Sequence, residues 1–214
     1  MIHGTGRTGN DQDRDGGKPG SARRGAYRDA PQRKAVFVDR LGWDLAVTGD
    51  LEIDTYGGLE TLYLLSMEKG RLLSSARLLP TTRSHLMSEH FAHLCSHGVP
   101  RGPRIWEASR FCINPAISER ASRHAQLGLI IAGILEAGLT RSIDQVTFVA
   151  GSALLPLALD GGWDARPLGP PSHDGRNTIT AVAAEITRAG LAAVRRRYAL
   201  EGCIIESASL KATV

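Results

Sequence analysis

The chain has 214 residues, 42% of them hydrophobic, 22% charged and 5% aromatic, a composition that excludes collagen, a disulfide scaffold and a wholly disordered chain. That length supports one sizeable core and is short for two. The formal charge is +4, and residues 1–40 account for all of it: nine Lys/Arg stand there against five acids, while the rest of the chain carries 17 of each sign. An anionic partner is therefore sought first at that end.

Residues 1–26 are dominated by Gly, Arg, Asp, Ser and Thr and are expected to form a disordered polar tail, leaving 27–214 as a single domain. Gly4-Thr5-Gly6-Arg7-Thr8-Gly9 matches GxGxxG in letters, but only Met1-Ile2-His3 precede it. A dinucleotide site needs a strand before the motif and a helix after it. Three widely spaced cysteines (Cys95, Cys112, Cys203) without a CxxC pair read as reduced thiols. No signal peptide is evident, and the longest apolar run, Leu127–Leu135, ends at Glu136, well short of the ~20 residues of a bilayer span. The expected location is the cytoplasm.

Strands and helices alternate after the tail. Thr61–Met67 and Arg71–Leu79 flank Glu68-Lys69-Gly70 as a β-hairpin. Ser84–Ser96 carries Leu86, Met87, Phe91 and Leu94 at helical spacing, Arg104–Ile113 is a strand stopped by Asn114-Pro115, and Ser118–Leu139 is a long helix with Leu127, Ile130, Ile131, Ile134 and Leu135 inward. Gln145–Ala150 is a buried strand, Ser152–Leu159 a short helix, Gly161-Gly162 a break, and Arg166–Asn177 a Pro/Gly-rich loop. Thr178–Glu185 is a further strand and Thr187–Leu200 a closing helix. The mixture argues for an α/β sandwich with helices packed on a central sheet.

The densest polar stretch is Arg33–Gly57. Arg33, Phe37 and Arg40 are spaced for one helical face, with Trp43 soon after. A guanidinium beside two aromatics suits an adenine and a carboxylate; the alternative is an amphipathic helix with its aromatics in the core. Glu52 and Asp54 alternate along an extended segment, either as functional acids or as a solvated strand face. In Trp106–Phe111, strand alternation puts Glu107 and Ser109 on one face and Trp106, Ala108 and Arg110 on the other. Arg110 and, on the earlier strand, Arg77 are charges in apolar strands, which is costly unless they are paired.

His90, His93 and His97 lie along one helical face near His85, Glu89 and Cys95, but no HExxH occurs, so no metal site is expected. Arg123-His124-Ala125-Gln126-Leu127-Gly128 loosely resembles the pyrophosphate loop of acetyltransferases, with Gln126 where the first glycine belongs. No nucleic-acid motif is present, and a folded region of zero net charge is a poor surface for nucleic acid.

Taken in order, these segments resemble the acyl-homoserine-lactone (autoinducer) synthases of bacterial quorum sensing. The resemblance runs through R-x3-F-x5-W (Arg33, Phe37, Trp43), E-x-D-x-Y (Glu52, Asp54, Tyr56), S-x-R-L-x-P-T (Ser75, Arg77, Leu78, Pro80, Thr81), E-x-S-R-F (Glu107, Ser109, Arg110, Phe111) and Gly162-Trp163. It implies an acetyltransferase-like (GNAT-like) three-layer α/β sandwich, a central mixed sheet with helices on both faces. It also implies that S-adenosylmethionine, a substrate and not a cofactor, is joined to an acyl group from acyl carrier protein, releasing methylthioadenosine. Because an ammonium has no lone pair, the amine needs a base; Glu107 is the candidate, with Asp54 holding or helping to deprotonate the amine. Arg33, Phe37 and Trp43 resemble the family's substrate clamp, and Glu52, Arg77 and Arg110 its charge network, Arg110 also contacting S-adenosylmethionine. Val146 and Phe148 are candidates for lining the acyl pocket.

Two departures stand out. The family's second aspartate is Gly57 here, for which Glu60 or Glu52 is the candidate substitute, and the first strand is expected to be missing or displaced. The alternatives are a related GNAT-like N-acyltransferase using acyl-CoA, or an inactive or repurposed member.

Overall fold

The computed structural model describes residues 2–5, 29–58, 60–175 and 177–207. Its frame is a mixed sheet of nine strands in the order β11-β1-β4-β5-β6-β7-β10-β8, with β9 also paired to β10. The strands are β1 (Ile2–Thr5), β4 (Leu62–Glu68), β5 (Arg71–Pro80), β6 (Ile105–Ile113), β7 (Gln145–Gly151), β8 (Ala165–Pro167), β9 (Ser172–Asp174), β10 (Asn177–Glu185) and β11 (Ile205–Ser207). β2 (Val47–Thr48) and β3 (Leu51–Glu52) form a separate small pair.

The β4–β5 hairpin turns at Lys69 and Gly70, whose φ angles of 47° and 80° give the twist that a two-residue turn needs between right-twisted strands. One face of the sheet carries α3 (Arg120–Thr140), α4 (Leu155–Leu159) and α5 (Arg188–Tyr198). Leu127, Ile130, Ile131, Ile134 and Leu135 of α3 bury themselves there against Leu62, Leu64, Ala76, Leu78, Val146 and Val182. Gly128 is required for this packing: a Cβ there would fall 2.3 Å from the Tyr198 ring. Trp163 belongs to this same core, stacking on Phe148 and donating its indole N–H to the Ala158 carbonyl, and the half-buried Gly162 precedes it.

The opposite face carries α1, helical over residues 29–33 and continuing as a π-helix over Lys34–Arg40, and α2 (Leu86–His90), followed by a 3-10 turn, Ala92–Leu94. A smaller core of Met87, Leu94, Cys95 and Ala181 lies beneath α2. The helix expected over Ser84–Ser96 is thus broken at Phe91, which has φ −122°.

Other expectations are corrected as well. Ile2–Thr5 of the expected tail pair with β4 and β11, so a first strand is present; residues 6–28 lie outside the described residues. The Arg166–Asn177 loop contributes the short strands β8 and β9 to the β10 edge. At the other edge, the buried Glu136 of α3 accepts the backbone N–H groups of Ile204 and Ile205 at 2.8 and 3.0 Å, anchoring β11. None of the described helices is long and apolar enough to cross a membrane.

Candidate active site

The site is built on the α1/α2 face, where β5 and β6 run side by side. Opposite the single residue Ala76 of β5, β6 places two residues, Arg110 and Phe111. This bulge is accompanied by a left-handed Arg110, φ +53°, a conformation costly for a residue with a Cβ. Its effect is to reverse the alternation. Phe111 turns to the α3 face, and Arg110, expected opposite Glu107 and Ser109, swings round to join them.

Three guanidiniums and three carboxylates meet there. Arg77, fully buried, makes a two-pronged pair with Asp54 at 2.6 and 2.8 Å and donates Nε–H to the Ser109 hydroxyl at 3.1 Å. Arg110 bridges Glu52 at 3.0 Å and Asp54 at 3.2 Å. Arg33 reaches Glu52 at 2.7 Å and Asp29 at 3.1 Å, and donates Nη2–H to the Glu52 carbonyl at 2.5 Å. Phe37 completes the group: the Arg110 guanidinium lies 5.6 Å from its ring centroid, and Trp43, partly exposed, stacks on it at 4.9 Å. Unpaired, these charges would each be costly to bury; Arg77, Arg110, Asp54 and Glu52, paired and hydrogen-bonded, hold a fixed array.

Glu107 stands apart from these pairs. It is buried, and its Oε2 accepts the Met87 backbone N–H at 3.3 Å. Burial is the main force on this carboxyl and pushes it up to about 7, although Met87, Arg77 and Arg110 pull the other way. Burial also opposes ionisation of Asp54, but its Arg77 and Arg110 partners outweigh that and hold it below the usual carboxylate range. The site therefore holds one carboxylate locked in the charged form and one balanced near neutrality, a division of roles characteristic of acid–base chemistry.

Most of the expected residues converge: Arg33, Phe37, Trp43, Glu52, Asp54, Arg77, Ser109 and Arg110 form one contact network, and Glu107 shares their face of the sheet. Others do not. Arg40 is exposed, because the π-helical turn breaks the spacing that would have put it beside Arg33. Glu60 pairs with Arg83 at the surface, so of the two acids considered as substitutes for the missing aspartate only Glu52 is in the cluster. A Cβ at Gly57 would lie 2.9 Å from the Tyr63 hydroxyl, so a larger residue there would have to displace a buried tyrosine. Val146 and Phe148 lie in the core on the α3 face, opposite Glu107. The register instead pairs Glu107 with Thr147, whose buried hydroxyl has no hydrogen-bond partner among the described residues. The β6–β7 ladder spans only Ile105–Glu107 against Gln145–Thr147, so named pairing stops beside Glu107.

The His-rich stretch gives no common ligand set. His85 is buried and faces the Arg83 carbonyl and Ser88, His93 and His97 are exposed, and His90 joins Glu89 around the Tyr56 hydroxyl at 2.8 and 2.6 Å. Arg123–Gly128 lies within α3, where Gln126 bonds Ser74, and so does not form a phosphate loop. Three contributors were missed by sequence reasoning. Asp29 counted only as a charge, Thr147 only as part of a buried strand, and the Met87 N–H is a backbone group with no sequence signature.

Comparisons with known proteins identify the family and the fold. Residues 30–194 match the family described as autoinducer synthase. An acyl-homoserine-lactone synthase of Pseudomonas aeruginosa is 31% identical over 154 residues, 70% of this chain and 74% of that protein. An isovaleryl-homoserine lactone synthase of Bradyrhizobium diazoefficiens is 35% identical over 143 residues, 65% of this chain and 63% of that protein. Among solved structures, a CoA-dependent acyl-homoserine lactone synthase, BjaI, with SAM and isopentyl-CoA superposes with a TM-score of 0.80 at 26% identity, covering 97% of this chain and 92% of that one.

Proposed function

The chain belongs to the autoinducer synthase family, with its acetyltransferase-like fold, and is an acyl-homoserine-lactone synthase; from that premise we propose how its own residues divide the work. The substrates are S-adenosylmethionine and an acyl thioester. The methionine amine attacks the thioester carbonyl to form the amide and release the thiol. The carboxylate then attacks the γ-carbon, closing the lactone and expelling methylthioadenosine.

Glu107 is the base for the first step. The observation that carries this is its environment: a buried carboxyl pushed up to about 7 and oriented by one backbone N–H can take a proton from an ammonium and return it at neutral pH. Asp54, held ionised by Arg77 and Arg110, attracts the ammonium and fixes its distance from Glu107. Arg33 takes the substrate carboxylate, and the Phe37–Trp43 stack offers the outer face of Trp43 to the adenine. Glu52 supplies, through Arg33 and Arg110, the second negative charge that Gly57 cannot. Val146 and Phe148, behind the sheet plane, are reached only by an acyl chain that passes between the diverging strands β6 and β7.

Acyl carrier protein is the proposed donor, because the start of α3 offers no pyrophosphate loop for coenzyme A. Acyl-CoA is the second reading, favoured by the likeness to BjaI, whose solved structure contains isopentyl-CoA. The test is to incubate the purified protein with S-adenosylmethionine and a panel of acyl carrier protein and acyl-CoA thioesters, following methylthioadenosine. Release with one donor series identifies the donor; release with neither would refute the proposed chemistry.

A further inference from the structure

Arg33, the guanidinium assigned to the substrate carboxylate, is not free. Its Nη2 is hydrogen-bonded to the Glu52 carbonyl, Glu52 Oε2 lies 2.7 Å from its Nε, and Asp29 Oδ1 lies 3.1 Å from its Nη1. The other two guanidiniums are no more available: Arg77 is held by Asp54 and Ser109, and Arg110 by Glu52, Asp54 and the Phe37 ring. A substrate bearing a carboxylate therefore enters a site in which every guanidinium already has a carboxylate partner.

One of the three carboxylates is held less firmly than the others. Among the described residues neither Asp29 oxygen accepts an aligned hydrogen bond, and Arg33 Nη1 and Nε donate none, whereas Glu52 accepts from Arg110, and Asp54 from Arg77 and Arg110. Among the described residues its one side-chain partner is the Arg33 charge, although the Asp29 side chain is fully buried. It sits one helical turn before Arg33 on α1, so a small shift of that segment separates them without disturbing the sheet. The charged and titratable groups around it are Arg33 on α1, Glu52 on β3, Tyr63 on β4, Arg77 on β5 and Cys112 on β6.

We propose that Asp29 is an internal stand-in for the substrate carboxylate, occupying Nη1 of Arg33 until S-adenosylmethionine displaces it. The inference rests on the assignment of this cluster as the S-adenosylmethionine site. The apparent affinity is then reduced by the fraction of molecules in which Asp29 holds Arg33. Asp29 tunes how much substrate is needed and takes no part in the reaction itself. Burial pushes its carboxyl up to about 6, against the pull of Arg33 and Arg77, so the competition should relax as the pH falls through that value.

The test measures S-adenosylmethionine binding by calorimetry, from pH 5 to 8, for the wild type, Asp29→Asn and Asp29→Ala. Glu107 titrates in the same range, so the ratio of wild-type to variant dissociation constants is the readout. Expected is a ratio of about 3 to 10 at pH 7.5, falling towards unity at pH 5. A ratio of one at every pH, or weaker binding by both variants, overturns the proposal, because a purely structural Asp29 would give no pH-dependent gain in affinity. A wild type that binds S-adenosylmethionine at no pH overturns the site assignment and this inference together; normal binding with an unmoved ratio overturns only the inference.

Discussion

On the α3 side of the sheet, strands β4 to β7 present Leu62, Leu64, Ala76, Leu78 and Val146 to an apolar helix; on the other side, their neighbours in the same strands are Tyr63, Ser75, Arg77 and Glu107, set beneath a charged segment. The apolar face is non-directional: its stabilisation follows the area removed from water and tolerates small shifts. The charged face is directional, because each pair is favourable only at one distance and orientation. The two faces should therefore answer mutation differently, one through stability and the other through chemistry.

The largest contrast is expected at Glu107. Glu107→Gln should lower methylthioadenosine release by about 10²- to 10⁴-fold, the usual contribution of a positioned base, while leaving the circular dichroism spectrum unchanged. Its effect on stability runs the other way. The folded protein holds this proton up to about pH 7, against 4.5 for an ordinary glutamate, so burial of the neutral acid favours folding below about pH 4.5 and that advantage is lost as the pH rises through 7. The neutral variant should be more stable than wild type at pH 8 by about 1–3 kcal/mol and equal to it near pH 4, as denaturant melts would show. Equal stability at both pH values would mean that Glu107 is not the strained acid described here.

Arg110 separates charge from backbone geometry. Arg110→Ala leaves Glu52 and Asp54 short of a partner and keeps the left-handed bulge, so a loss of about 3–5 kcal/mol is expected in urea unfolding. Arg110→Gly loses the same charge but suits φ +53°, and should be more stable than the alanine variant by about 1 kcal/mol. If the two variants were equal, the bulge would not be strained. On the apolar face, Gly128→Ala forces Tyr198 aside and should cost about 1–3 kcal/mol, with kcat of the folded fraction unchanged. The smallest effect on stability is expected at Trp43, which is 42% exposed: Trp43→Ala should lower stability by less than about 1 kcal/mol yet raise the KM for S-adenosylmethionine several-fold. A change in kcat alone would remove Trp43 from the adenine site.

The apolar face was also the more legible of the two. Helical periodicity placed Leu127, Ile130, Ile131, Ile134 and Leu135 correctly because an apolar stripe on a long helix has one way to bury itself, and the hairpin followed from Lys69-Gly70. The charged face was legible as a set of residue types through the motif order. Its geometry was not. Strand alternation put Arg110 on the wrong side because a bulge carries no marker when the left-handed residue is Arg instead of Gly. Arg40 was misplaced by a π-helical turn, and the broken helix at Phe91 reflects packing of Met87 and Leu94 onto β7 and β10, a tertiary demand that local periodicity does not contain. Val146 and Phe148 alternate with Thr147, so choosing the apolar pair selected the face opposite Glu107.

The edge formed by β1 and β11 carries a consequence for how the chain assembles. β1 lies between β4 and β11, so residues 2–5 cannot complete their pairing until residues 205–207 have been made. Closing a loop of that length adds little entropy beyond a shorter one, but it is slow. Until Glu136 captures the backbone of Ile204 and Ile205, one side of β1 is an open strand edge able to pair with another chain. The chain is thus open to mispairing at this edge until β11 docks, although the strands that carry the charged cluster are already made.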